Sequence, residues 1–170
     1  MSAETITTAL FLITAVVASA VLINAIYPVV YTAAGSFSAT THEADTRIRT
    51  DFKIIATYAS NSAVTAQVWM KNTGSEGISR NEIEKSDVFC GATTSFDHLT
   101  YDPSLSVDKT WNVDFNYPEY DLNNNQVWDT GETVKITART AKIPASGGKV
   151  YFQFAVPSGV WRTTEFTSVS

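Results

Sequence analysis

The feature that most constrains this chain is a long apolar run near its amino terminus. Ala9 to Val30 reads ALFLITAVVASAVLINAIYPVV, broken only by Thr14, Ser19 and Asn24, and no charged residue falls between Thr5 and Thr41. A helix rises about 1.5 Å per residue, so about 20 apolar residues cross the roughly 30 Å hydrocarbon layer of a bilayer. The run is long enough to do this, and Tyr27 and Tyr31 stand where interfacial aromatics belong. It reads as a helix embedded in lipid or in the core of a fibre, since soluble core helices are seldom this long and this evenly apolar.

A removable signal peptide would carry a basic leader, a shorter apolar stretch and a small-residue cleavage site. The opening MSAETITTA has neither Lys nor Arg, so the expectation is a retained, single-pass anchor. Charge says little about its direction, because Arg47, Arg49 and Lys53 are interleaved with Glu43, Asp45 and Asp51. A β-rich remainder favours an inside amino terminus and an extracytoplasmic carboxy-terminal domain in the cell envelope. Ala15, Ala18 and Ser19 would let neighbouring helices approach closely, or are simply tolerated in lipid. The Asn24 amide has the chemistry to bond a neighbouring helix, as an unpaired amide in lipid is costly. Glu4 either sits in headgroup water or meets a neighbour's terminal amine during assembly.

After Pro28 the sequence turns polar, with Gly35 and a Ser/Thr cluster that weaken helix propensity. A helix is expected to about Tyr31, with a kink at Pro28 and a continuation toward Thr50 as the extended version. From Phe52 the hydrophobic period becomes two. Val64, Ala66, Val68 and Met70 alternate with Thr65, Gln67 and Trp69; Val134, Ile136 and Ala138 with Lys135 and Thr137; and Val150, Phe152 and Phe154 with Tyr151 and Gln153. Such alternation marks half-buried strands. Further strands are expected over Phe52–Tyr58, Asp87–Cys90, Trp111–Phe115 and Val160–Phe166. About seven short strands joined by turns, Asn72-Thr73-Gly74 among them, predict an Ig-like β-sandwich. The expected division is a helix and stalk over residues 1–50 and an all-β domain over 51–170.

Composition removes several functions. A net charge of −5 and a pI near 4.9 exclude a nucleic-acid binder, which needs a basic patch to neutralise phosphates. Cys90 is the only cysteine, so no intrachain disulfide forms, and it reads as a small buried hydrophobe. His42 and His98 lack a second ligand at zinc spacing, and neither a phosphate-binding Gly loop nor a serine elbow is present. The chain offers no acid, base or nucleophile set and reads as a non-enzymatic protein.

One segment carries coordination chemistry. In DLNNNQVWDTGE, Asp121, Asn123, Asn125, Asp129 and Glu132 occupy positions 1, 3, 5, 9 and 12, and position 7 supplies the Val127 carbonyl. This is the ligand spacing of an EF-hand Ca²⁺ loop, with Glu132 placed to bind through both oxygens. The departure is Gln126, where Gly normally makes the sharp turn. Asn and Asp also gather in ordinary surface turns. The expectation is a weakly bound structural Ca²⁺ that clamps a long loop.

The apolar run with its preceding ETITT, the charged junction HEADTRIRTDFKII and the strand-turn VWMKNTG at Val68–Gly74 together resemble the archaellum (archaeal flagellum) accessory family FlaG/FlaF, FlaG above all. The archaellin filament subunits share the helix-plus-sandwich plan but begin with a basic leader cleaved before the helix, so the resemblance favours an accessory component. It implies a structural protein of motility in the archaeal envelope that holds the motor as a stator, with a surface-layer protein, archaellum components and other copies of itself as partners. A subunit of an extracellular, pilin-like filament is the alternative, and a membrane-tethered ligand-binding module a third.

Overall fold

The long helix, α1, runs from Ala3 to Arg49 and is followed by an all-β domain, in a computed structural model that describes residues 3–116 and 119–170. The described residues through Ala44 form one compact unit and Asp45–Ser170 a second. The helix passes Pro28 and Gly35 without a break, where the sequence pattern left open an end near Tyr31. Several hydroxyl side chains along it are satisfied within the helix. The hydroxyls of Thr14, Ser19, Thr32, Ser36, Thr40 and Thr41 each donate to the carbonyl four residues back. Side chains that would otherwise compete with a helix are thereby folded onto it. The large apolar side chains from Ile6 to Phe37 are all exposed. Among the described residues, α1 is the helix long and apolar enough to cross a membrane.

The β domain contains β1 (Phe52–Ser60), β2 (Thr65–Asn72), β3 (Ile78–Ser79), β4 (Asp87–Ala92), β5 (Ser95–Tyr101), β6 (Thr110–Asp114), β7 (Val127–Trp128), β8 (Thr133–Arg139), β9 (Lys149–Ala155) and β10 (Trp161–Thr167). A one-turn-scale helix, α2 (Arg80–Glu84), follows β3. Eight strands pair in the order β1-β2-β8-β6-β5-β4-β9-β10, and β3 pairs with β7. The pairings are antiparallel except β5 with β6, which run parallel over Thr100–Tyr101 and Thr110–Trp111. That short parallel link lets the sheet fold into two facing halves. Beyond its last strand, Val169 bridges Ser60 at the end of β1, so the two outer strands meet at one end of the sandwich.

The core lies between the halves. Val68, Met70, Trp111, Val134 and Ile136 come from one side, and Val88, Leu99, Val150, Phe152 and Phe154 from the other; all are buried. Edge-on aromatic contacts stitch them, with Phe154 centred 6.1 Å from Trp111 and 5.6 Å from Phe52. The expected strands are present with ends shifted by one or two residues, and Lys149–Ala155 matches at both ends. Besides the two-residue strands β3 and β7, two elements escape the alternation pattern. α2 announces itself only through a capping box, in which Ser79 and Glu82 bond each other's backbone. β5 reverses the usual polarity, with Asp97 facing inward and Phe96 outward.

Asp97 is tolerated because it is fully engaged. Its carboxylate accepts from Thr140 at 2.9 Å, lies 2.9 Å from Lys142 Nζ and sits 3.6 Å from Lys109 Nζ. Burial alone would raise its pKa, but the bonds from Lys142 and Thr140 and the Lys109 charge outweigh it, so the pKa falls below the ordinary carboxylate value. On the neighbouring strand Cys90 is buried, and desolvation pushes its thiol up to about 12, leaving it an inert packing group.

Candidate functional site

Two places in the β domain are built with unusual care, and they share residues. The first is the end of α1. A helix terminus leaves its last carbonyls without intrahelical donors, and here the turn after β2 supplies donors to the final one, that of Arg49, and to Asp51 just beyond it. Ser75 and Glu76 donate their backbone N–H to the Arg49 carbonyl at 2.9 and 3.2 Å, while Thr73 and Gly74 donate to the Asp51 carbonyl at 2.9 and 2.8 Å. The turn comes so close because position 74 is glycine. A Cβ there would collide with the Arg49 carbonyl and lie 2.5 Å from the Asp51 nitrogen. Asn72, 1% exposed, holds the turn from beneath: its Oδ1 accepts from Gly74 N, and its amide donates to the carbonyls of Glu76 and Trp128. Arg49 also pairs with Asp45 and Glu76, and Arg162 pairs with Asp51 from β10.

Beside this clasp, Arg47, Ile48, Asp51, Gly159, Trp161 and Arg162 line an open cleft of about 790 Å³. Trp161 is half exposed, whereas Phe166 packs partly against the core. Trp161 is therefore the aromatic presented to solvent at this edge.

The second place is the loop from Asp121 to Glu132, tied to the clasp through the Asn72–Trp128 bond and through Thr130, whose hydroxyl donates to the Gly74 carbonyl at 2.7 Å. The residues at positions 1, 3, 5, 9 and 12 are linked to one another by hydrogen bonds along the loop. Asp121, fully buried, accepts from Asn125 N and Gln126 N at 3.2 and 2.9 Å. The Asn123 and Asn125 side-chain oxygens cap Asn125 N and Val127 N. Both of their amide nitrogens donate to Asp129 at 2.8 Å. Glu132 accepts from Leu122 N and Asp129 N, closing the loop end to end. Gln126 takes the left-handed conformation, φ 60°, that the sixth position demands, and its side chain bonds Arg80 and Asp121. Contacts of this kind support a strained conformation in a residue with a Cβ.

As a cation donor set the loop fits in composition and spacing: five oxygen-bearing side chains, three of them carboxylates, and the Val127 carbonyl. Among the described residues, however, no three Asp, Glu, His or Cys side chains gather as a metal-binding group. The carboxylates are instead occupied by amide hydrogens, and the Asn123 and Asn125 amides present nitrogen rather than oxygen to Asp129.

On α1 the predicted packing residues do not share one face. At 100° per residue, Glu4, Ala15, Ala18 and Ser19 fall within one sector, and Asn24 lies about 180° from Ala15. Ser19 is already bonded to the Ala15 carbonyl. His42 is exposed on the helix, and His98 is an exposed partner of Asp87 at 2.9 Å. Sequence reasoning missed the clasp, although the Asn-Thr-Gly of the turn was its visible mark.

Comparisons with known proteins place this plan. The sequence pattern of archaeal-type flagellin matches residues 2–166. An uncharacterised protein of Archaeoglobus fulgidus is 29% identical over 138 residues, 80% of each chain. The periplasmic stator protein FlaG of the Sulfolobus acidocaldarius archaellum superposes with a TM-score of 0.53 at 20% identity, over 69% of this chain and 99% of that one. A chain of the FlaF–FlaG stator complex of the same organism gives 0.54 at 18% identity, over 68% and 87%. The archaeal flagellum of Methanospirillum hungatei gives 0.68 at 16% identity, over 96% and 93%. At these identities the solved structures share the fold.

Proposed function

The chain belongs to the archaeal-type flagellin family, and on that premise we propose that it acts in the cell envelope as a stator-like anchor of the archaellum, through contacts with the surface layer and with copies of itself. That it is a structural protein rather than an enzyme follows from the family. The observation that carries the finer reading is the clasp: the end of an apolar helix is capped by the β domain's own backbone, as a part that bears load between membrane and envelope requires. Half-exposed Trp161, beside Arg47 and Arg162, gives the domain an aromatic and cationic edge suited to protein contacts.

A filament subunit is the second reading, favoured by the superposition of the M. hungatei flagellum over 96% of this chain, helix included. Purification of the full chain in detergent separates the two. Monomers or small oligomers that capture isolated surface-layer protein support the anchor. Detergent-resistant fibres of regular pitch support the filament. A chain that binds neither the layer nor itself overturns both.

The same proposal includes Ca²⁺ as a structural ion of the loop, held by Asp121, Asn123, Asn125, Asp129, Glu132 and the Val127 carbonyl. Its support is the ligand spacing and the left-handed Gln126 at the turn position. Asp121→Ala removes hydrogen bonds in any medium, so the informative quantity is the difference between media. The parent should melt several degrees higher in millimolar Ca²⁺ than in chelator, and the variant should lose that difference. A parent that melts alike in both leaves the loop a purely hydrogen-bonded clasp.

A further inference from the structure

The apolar run contains three short polar side chains, and they are treated differently. Thr14 and Ser19 donate to carbonyls of their own helix at 2.5 and 2.8 Å. Among the described residues, none donates to or accepts from the Asn24 side chain. Four residues on stands Pro28, which has no N–H, so the main-chain carbonyl of Asn24 also lacks its helical donor. One level of an otherwise apolar helix therefore carries two amide donors, a side-chain acceptor and a free carbonyl. In a medium without water each unpaired group is costly.

Resting on the reading of the chain as an envelope-anchored family member, we propose that Asn24 is a self-recognition point at which α1 pairs with α1 of a second copy, each Asn24 amide donating to the other's Asn24 carbonyl. The occupant follows from complementarity. Copies inserted in one orientation are parallel, which puts Asn24 of each at the same depth, and the donors of one meet the acceptors of the other. A polar residue at a single buried position is a known way to fix the register of paired helices. Because Asn24 lies about 180° from Ala15 and about 140° from Ser19 around the helix, this contact leaves the small-residue sector free for a different neighbour.

Sedimentation of the full chain in detergent tests the assignment. Asn24→Val should weaken self-association about tenfold, the scale of two interhelical hydrogen bonds, while Asn24→Gln stays within about threefold. Pro28→Ala restores the helical N–H and should also weaken pairing. Surface-layer binding by Asn24→Val should match the parent. Association of Asn24→Val as tight as the parent's overturns the inference, as does a parent that stays monomeric. A parent that pairs through Asn24 yet captures no surface-layer protein overturns the envelope reading and leaves the pairing site standing.

Discussion

Replacing Gly74 by alanine will lower the stability of the β domain by about 3–5 kcal/mol, an effect large for a single methyl group in a turn. The new Cβ meets backbone rather than a flexible side chain: the Arg49 carbonyl and the Asp51 nitrogen are both in its way. Relief requires the turn to retreat from the helix end. Overpacking of this kind costs about 1–3 kcal/mol, and retreat forfeits up to four backbone hydrogen bonds to Arg49 and Asp51, each worth about 1 kcal/mol net. For a domain of this size the melting temperature should fall by roughly 10–20 °C. A local readout accompanies the global one. Trypsin should cut after Arg47 and Arg49 far faster in the variant, because the last helical turn loses its external cap. Gly147→Ala is the matched control: its φ of 87° strains a side chain, but a Cβ meets nothing within 4 Å, so about 1–2 kcal/mol is expected without new cleavage at the helix end. A Gly74→Ala chain that melts within two or three degrees of the parent would mean that the turn does not clasp the helix end.

The parts of this molecule legible from sequence are those where one physical signal dominates. Apolar length marks α1, and period-two alternation marks β2, β8 and β9, because burial on one face is what those segments are selected for. Legibility fails where a tertiary partner overrides the local pattern. β5 places Asp97 inward, which is unreadable without knowing that Lys142, Lys109 and Thr140 converge on it from distant segments. The helix end was blurred for the same reason. Gly35 and the Ser/Thr cluster argue for an early stop, but the Ser36, Thr40 and Thr41 hydroxyls bond back to the helix, and a turn some 25 residues downstream caps its final carbonyl, that of Arg49. In the Asn-rich loop the spacing of donors was legible, and so was the oddity of Gln126. Which partner each oxygen holds was not, since amide hydrogens and a cation compete for the same lone pairs.

Trp128 ties these parts together, and its removal is expected to be as damaging as any core truncation. It lies in β7, within the loop sequence, yet it is fully buried and centred 5.6 Å from Phe52 at the start of β1. Its indole nitrogen donates to the Glu132 carbonyl at 2.9 Å, and its own carbonyl accepts from Asn72 beneath the helix clasp. Trp128→Ala should therefore cost about 3–5 kcal/mol, the range for large aromatic truncations. Trp128→Phe keeps most of the ring and removes one of the two donors to the Glu132 carbonyl, which retains the Asn72 N–H, and should cost about 0.5–1.5 kcal/mol. The diagnostic is where protection is lost. If Trp128 is the common support of loop and clasp, amide exchange in Trp128→Phe should accelerate over both Asp121–Glu132 and Asn72–Glu76 while Val150, Phe152 and Phe154 of β9 remain protected. Faster exchange spread evenly through the domain would mean that Trp128 is ordinary core, and that loop and clasp are stabilised separately.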